Sequence, residues 1–198
     1  LIIDLRDNPG GNLEVAVNIV DLFLDSGLIL TTKSKGSNKV NHSWNASPGD
    51  PLENVKLHIL INKNSASASE LMAGALQYHS RATIYGEQSF GKGSVQEIIP
   101  LESLEGSFLK FTSSYYFLPN GNSVEKTLNN DGKWGIYPKE ENTIIETHEM
   151  YKMRVQSRKP WRNIKRTPNF LPLKIDSKWL INTLNDPILE KVIMKIEE

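Results

Sequence analysis

Val55-Lys56-Leu57-His58-Ile59-Leu60-Ile61 is an apolar run that reads as a mostly buried strand. Ser65-Ala66-Ser67-Ala68-Ser69-Glu70 follows, and Leu71-Met72-Ala73-Gly74-Ala75-Leu76-Gln77 then reads as a helix, predicted from about Ser69 to His79. The serines therefore fall at a strand-to-helix turn. Unpaired amides and the positive end of the helix dipole there favour a developing oxyanion.

Upstream, Leu1-Ile2-Ile3-Asp4-Leu5 reads as a short buried strand ended by the turn Arg6-Asp7-Asn8-Pro9-Gly10-Gly11-Asn12. Leu13, Val17, Val20 and Leu24 recur at helical spacing and predict a helix from about Leu13 to Asp25, with Gly27 as its C-terminal cap. Leu28 to Thr32 returns as a strand. Lys33 to Asp50 is polar and reads as an exposed loop. With a short strand at Ala82–Tyr85, the alternation of strands and helices predicts an α/β layered core.

Downstream the period changes. Val95 to Leu101 and the aromatic, β-branched stretch Phe108 to Leu118 read as strands, and Pro119-Asn120-Gly121-Asn122 as a tight turn. This half is expected to be a twisted antiparallel sheet packed on the α/β core. After Pro138 the character shifts. Tyr151 to Thr167 carries seven basic side chains and no acidic one, and Asn185-Asp186-Pro187 opens an amphipathic helix through Leu189, Val192, Ile193 and Ile196. The domain boundaries follow as 1–138 and 139–198.

At 198 residues the chain fits one ordinary core, and 23 basic against 23 acidic residues leave no global field pointing to nucleic acid or membrane. The absence of cysteine excludes disulfides and thiolate metal sites. No apolar run approaches the ~20 residues of a membrane span. Because Leu1 opens directly into a strand pattern, the chain is expected to be a fragment. Catalytic weakness in isolation would follow from an uncovered sheet edge.

Two blocks carry the chemistry: the serine turn, and Gly91-Lys92-Gly93-Ser94-Val95-Gln96. A hydroxyl needs a positioned base, and a lysine supplies one only when neutral, a form that burial favours. The flanking glycines let the backbone turn the Lys92 side chain inward. Gln96, four residues on, would share a strand face with it. On residue types alone, a small-residue helix cap beside a solvated loop lysine is the favoured reading, since Ser-rich caps are common. Composition does not choose among Ser65, Ser67 and Ser69.

Asp4-Leu5-Arg6-Asp7-Asn8-Pro9-Gly10-Gly11, the serine turn, Arg81-Ala82 and Phe90-Gly91-Lys92-Gly93-Ser94-Val95-Gln96 occur in one order. Together they resemble the C-terminal processing (tail-specific) serine peptidases. The likeness continues through Tyr116, Pro119, Gly121 and Gly135-Ile136-Tyr137-Pro138, and Asp186-Pro187-Ile188-Leu189-Glu190-Lys191 resembles the family's closing helix. The resemblance implies an endopeptidase on a ClpP/crotonase-like core of β-β-α units, without a cofactor. It further implies Ser67 as nucleophile, Lys92 as general base, Gln96 as the amide orienting the lysine, and the N–H groups of Ala68 and Gly11 as oxyanion hole. Substrates would be proteins or peptides with apolar C-termini, the setting a bacterial cell envelope or periplasm, and a PDZ domain is expected upstream. Lys139 stands where the family commonly has Asp. A non-catalytic peptide-binding scaffold of the same fold is the rival, with the Val95–Leu118 region accepting a peptide as an added strand.

Other motifs fail on chemistry. Gly86-Glu87-Gln88-Ser89-Phe90-Gly91-Lys92-Gly93 nearly matches a phosphate-binding loop, but Gly93 replaces the magnesium-holding hydroxyl and a strand follows. Ser107-Phe108-Leu109-Lys110 lies in a strand pattern, where residues three apart face opposite sides. His42, His58, His79 and His148 have no partner at metal-ligand spacing, and His58 reads as a packed or hydrogen-bonded residue. The basic stretch with Trp161 reads as a solvated connecting segment, since no nucleic-acid motif accompanies it.

Overall fold

The computed structural model describes residues 1–101, 106–129, 133–162 and 176–197. The chain divides into two compact units, Leu1–Thr143 and Ile144–Glu198. In chain order the first holds β1 (Ile2–Asp4), α1 (Leu13–Asp21), β2 (Leu28–Ser34), β3 (Val40–Asn45) and β4 (Leu57–Ile61). It continues with α2 (Ala68–Tyr78), β5 (Ala82–Gly86), β6 (Ser94–Pro100) and β7 (Phe108–Phe117). The second holds α3 (His148–Arg162), α4 (Ser177–Leu184) and α5 (Pro187–Glu197).

Two sheets build the first unit. β1, β4 and β5 form a parallel sheet in the order β1-β4-β5, with Ile3 opposite Ile59 and Ile59 opposite Ile84. β3, β2, β7 and β6 form an antiparallel sheet in that order. The core lies among Val20, Ile29, Leu30, Ile59, Leu71, Leu76 and Tyr116, none more than 2% exposed. Each large aliphatic side chain so buried contributes about 1.5–3 kcal/mol relative to exposure.

α2 is buried along its length from Ser69 to Leu76, as expected of a helix without a polar face. Its small residues permit this. A Cβ on Gly74 would stand 2.6 Å from Ile136 Cδ1 and 2.7 Å from Leu118 Cδ1. Arg81, just beyond α2, pins three segments by donating to the carbonyls of Phe23, Leu52 and Val55 and pairing with Asp50.

Two local readings are corrected. α1 stops at Asp21 instead of Asp25: the N–H groups of Phe23 and Leu24 turn back to the Val20 and Asp21 carbonyls, three residues behind instead of four, and the Asp21 and Asp25 carboxylates accept the N–H groups of Ser47 and Gly49. Gly27 is consequently no helix cap; at φ +104° it leads into β2, where a Cβ would meet the His79 ring at 2.7 Å. The span Lys33–Asp50 contains the strand β3, not only loop. β3 is an edge strand with five of six residues exposed, so no apolar alternation announced it.

In the second unit Asp186 caps α5, accepting the N–H groups of Ile188 at 3.2 Å and Leu189 at 3.1 Å, with Pro187 at the first helical position. Ile188, Leu189, Val192 and Ile193 are its buried face. The stretch read as a solvated connecting segment is helix α3 through Arg162, while residues 163–167 lie outside the described residues. Arg154 is 3% exposed and paired with Glu146 at 2.6 Å, and Arg158 pairs with Asp186 at 3.1 Å. That part of the basic charge serves packing.

Candidate active site

The three serines of the turn differ in what their hydroxyls do. Ser65 is fully buried; its Oγ donates to the Leu5 carbonyl at 2.8 Å and accepts the Asn62 N–H at 2.9 Å. Ser69 Oγ donates to the Asn8 carbonyl at 3.1 Å. Ser67 Oγ donates to no carbonyl among the described residues, and Ser67 lines a cleft. Ser67 is the N-cap of α2 with φ 57° and ψ −117°, a conformation that costs a non-glycine residue about 1–3 kcal/mol. Its neighbours hold it there. Its N–H donates to Glu70 Oε2 at 2.9 Å, and its carbonyl accepts the Tyr116 hydroxyl at 3.0 Å as well as the N–H groups of Glu70 and Leu71.

The turn before α1 docks on this one. Asn8 O accepts the Ala66 N–H at 3.0 Å, and Gly10 has φ +95° with its Cα face against the serines. Gly11 and Ala68 both line the cleft, and neither N–H has an acceptor among the described residues. Ala68 sits at the first position of α2, where helix geometry leaves the amide free.

The lysine block is fixed by backbone bonds. Glu70, fully buried, accepts the N–H groups of Gly91 at 2.7 Å and Lys92 at 2.8 Å and the Ser89 hydroxyl at 2.5 Å. One carboxylate therefore ties the serine turn to the lysine loop. Glu125 accepts the Gly93 N–H at 2.9 Å, and the Tyr116 N–H donates to the Gly93 carbonyl at 2.9 Å. Gly91 has φ +90°, and a Cβ there would meet Trp134 Cδ1 at 2.3 Å, so only glycine fits. Burial, followed by the nearby Glu70 and Glu125 charges, raises the Tyr116 phenol well above its ordinary value.

Ser67, Lys92, Gln96, Gly11 and Ala68 all line one cleft of about 360 Å³. No hydrogen bond joins Ser67 Oγ to the Lys92 amine, and none joins Gln96 to Lys92. β6 begins at Ser94, so Lys92 precedes the strand on which it was expected to share a face with Gln96. Ser94, Val95, Gln96 and Ile98 of β6 line the cleft, the register against β7 shifting between Val95 and Gln96, and Lys110 of β7 is paired to Ile98. Leu13, Leu71 and Val95 add apolar surface, and among the described residues no carboxylate lines the cleft.

The structural roles of Glu70 and Glu125 escaped the reading of the sequence. For Glu70 the signal was present, because Ser67-Ala68-Ser69-Glu70 has capping-box spacing. For Glu125 there was none, because its bond to Gly93 spans 32 residues of sequence. His58 is packed as expected, though both ring nitrogens lack partners, and burial lowers its pKa from the ordinary value. His58 does not line the cleft. Among the described residues no group of three or more His, Asp or Glu side chains could hold a metal ion. None of the described helices is long and apolar enough to cross a membrane.

Residues 1–141 match the profile of peptidase family S41. A carboxy-terminal-processing protease of Bartonella bacilliformis is 48% identical over 124 residues, which cover 63% of this chain and 28% of that protein. A probable CtpA-like serine protease of Staphylococcus haemolyticus is 33% identical over 152 residues, covering 76% of this chain and 30% of the relative. Among solved structures, a photosystem II D1 C-terminal processing protease superposes with a TM-score of 0.61 at 29% identity, over 73% of this chain and 34% of that one. The chain thus spans less than a third of the length of these curated relatives.

Proposed function

The chain belongs to peptidase family S41, and from that membership we propose that it carries the Ser/Lys site of a serine endopeptidase. Ser67 Oγ attacks the carbonyl carbon of a peptide bond and passes its proton to the Lys92 amine. The N–H groups of Ala68 and Gly11 hold the oxyanion, the protonated lysine returns its proton to the leaving amine, and water releases the acyl-enzyme. Gln96 orients the lysine. One observation carries this reading: of the three serines, only Ser67 keeps its hydroxyl free of a carbonyl, and it does so in the cleft that Lys92 shares.

The missing bond between Ser67 and Lys92 is compatible with chemistry, because catalytic hydrogen bonds are often long without substrate and tighten when it binds. The test is to express Ser67→Ala and Lys92→Ala in the complete reading frame and assay cleavage of an unfolded protein. Both variants should fold and lose cleavage; cleavage by Ser67→Ala at the parent rate sinks the assignment. A parent that binds peptides without cutting them would favour the scaffold instead.

Substrate and setting are part of the same proposal. The relative's carboxy-terminal-processing name supports cleavage near the C-terminal tails of proteins; apolar tails, a PDZ domain upstream and action in the cell envelope are proposed with it, from the family resemblance alone. Fractionating cells for the full-length protein, and comparing tails ending in Ala or Val with tails ending in Asp, tests both.

A further inference from the structure

We propose that Glu125 is a positioning residue for the lysine of this site. The inference rests on the reading that Lys92 is the base. Because no hydrogen bond holds the Lys92 amine among the described residues, the backbone of its loop sets where Gln96 and Ser67 can meet it. That backbone presents three successive N–H groups, and all three end on buried carboxylates. Gly91 and Lys92 donate to Glu70, and Gly93 donates to Glu125 Oε2 at 2.9 Å.

Glu125 is 7% exposed, and its other oxygen accepts the Thr127 hydroxyl at 2.9 Å. The segment it belongs to clamps the loop from one side: the Lys126 N–H donates to the Gly91 carbonyl at 3.0 Å. The approach is close. A Cβ on Gly93 would stand 3.0 Å from both Glu125 Cβ and Glu125 N. Glu70 fixes the N-terminal side of Lys92; on the C-terminal side the Tyr116 N–H holds the Gly93 carbonyl and Glu125 holds the Gly93 N–H. Losing Glu125 releases the N–H of the Lys92–Gly93 peptide plane, which loosens the torsions that aim the amine at the end of a four-carbon stem. Glu125 is not among the residues that line the cleft.

The experiment compares Glu125→Ala, Glu125→Gln and Ser67→Ala with the parent in the complete reading frame, measuring kcat, KM and thermal unfolding. Glu125→Ala should lower kcat about 10- to 100-fold with KM within two-fold, the scale of a misplaced catalytic group. Glu125→Gln keeps one acceptor for the Gly93 N–H and should recover most of kcat. A parent-like kcat in folded Glu125→Ala, or a change confined to KM, overturns the proposal. Should Glu125→Ala not fold, hydrogen exchange in the parent decides. A Gly93 amide as protected as Gly91 supports the clamp, and one exchanging like an open loop refutes it. If Ser67→Ala stays active, the dyad fails; if Ser67→Ala is dead while Glu125→Ala is unimpaired, only the positioning role fails.

Discussion

Ser67 and Lys92 donate their backbone N–H groups to the same oxygen, Oε2 of Glu70, at 2.9 and 2.8 Å. The two side chains come from elements 25 positions apart in sequence, yet one fully buried acceptor fixes their separation at the backbone level. The cleft therefore inherits its geometry from inside the core.

Glu70→Gln should be more damaging than an exposed carboxylate-to-amide change. Four donors converge on the two Glu70 oxygens, and an amide offers one acceptor and two N–H groups in their place. Each orphaned buried donor costs roughly 1–3 kcal/mol. Urea unfolding should show a loss of about 3 kcal/mol or more. A midpoint matching the parent would contradict the network.

The three serines should separate by phenotype. Ser65→Ala removes a buried hydroxyl that both donates and accepts, so stability should fall by roughly 1–3 kcal/mol while cleavage per folded molecule persists. Ser67→Ala should leave the fold intact and abolish cleavage. Ser67→Gly should be the more stable of the two Ser67 variants, because glycine adopts φ 57° without strain. Calorimetry with an activity assay on the same samples reads all three.

Tyr116 makes an alkaline prediction. The buried phenol is raised well above 10, whereas in the unfolded chain it ionises near 10. Above pH 10 the unfolded state thus binds fewer protons than the native state, so stability falls as pH rises, and it is fully present below that point. Tyr116→Phe removes this slope. It also removes the donor to the Ser67 carbonyl, at about 0.5–1.5 kcal/mol near neutral pH. Unfolding followed from pH 8 to 11 should show the parent losing stability more steeply than Tyr116→Phe; parallel curves would exclude the linkage.

What was legible in the chain follows from range. The buried strand β4, the helix α2 and the capped α5 announced themselves because apolar periodicity and caps are local. β3 was silent because an exposed edge strand is held by backbone pairing to β2 and has no buried face to pattern. The order of blocks singled out Ser67 and Lys92 by resemblance, but the reason Ser65 and Ser69 differ from Ser67 lies in carbonyls of Leu5 and Asn8, about 60 residues away. Such pairings become visible only once the turns dock.

Gly10 and Gly11 offer the sharpest contrast for the proposed oxyanion hole. They are adjacent, yet their surroundings are opposite. A Cβ on Gly10 would stand 2.6 Å from the Ala66 carbonyl oxygen, 2.8 Å from the Ala68 nitrogen and 2.9 Å from Ser67 Cβ, at a φ of +95° that side chains rarely adopt. Backbone atoms cannot swing aside as side-chain ends do, so Gly10→Ala must push the Asn8–Asn12 turn off the serines and carry the Gly11 N–H away. Gly11 has nothing within 4 Å of where its Cβ would be, and an alanine there keeps the N–H. Gly11→Ala should therefore retain cleavage within a few-fold and Gly10→Ala should lose about 100-fold or more, the scale for removing an oxyanion donor. Gly11→Pro, which deletes the N–H itself, should resemble Gly10→Ala in kcat. Parent-like kcat in Gly11→Pro would remove Gly11 from the oxyanion hole and leave Ala68 as the remaining proposed donor.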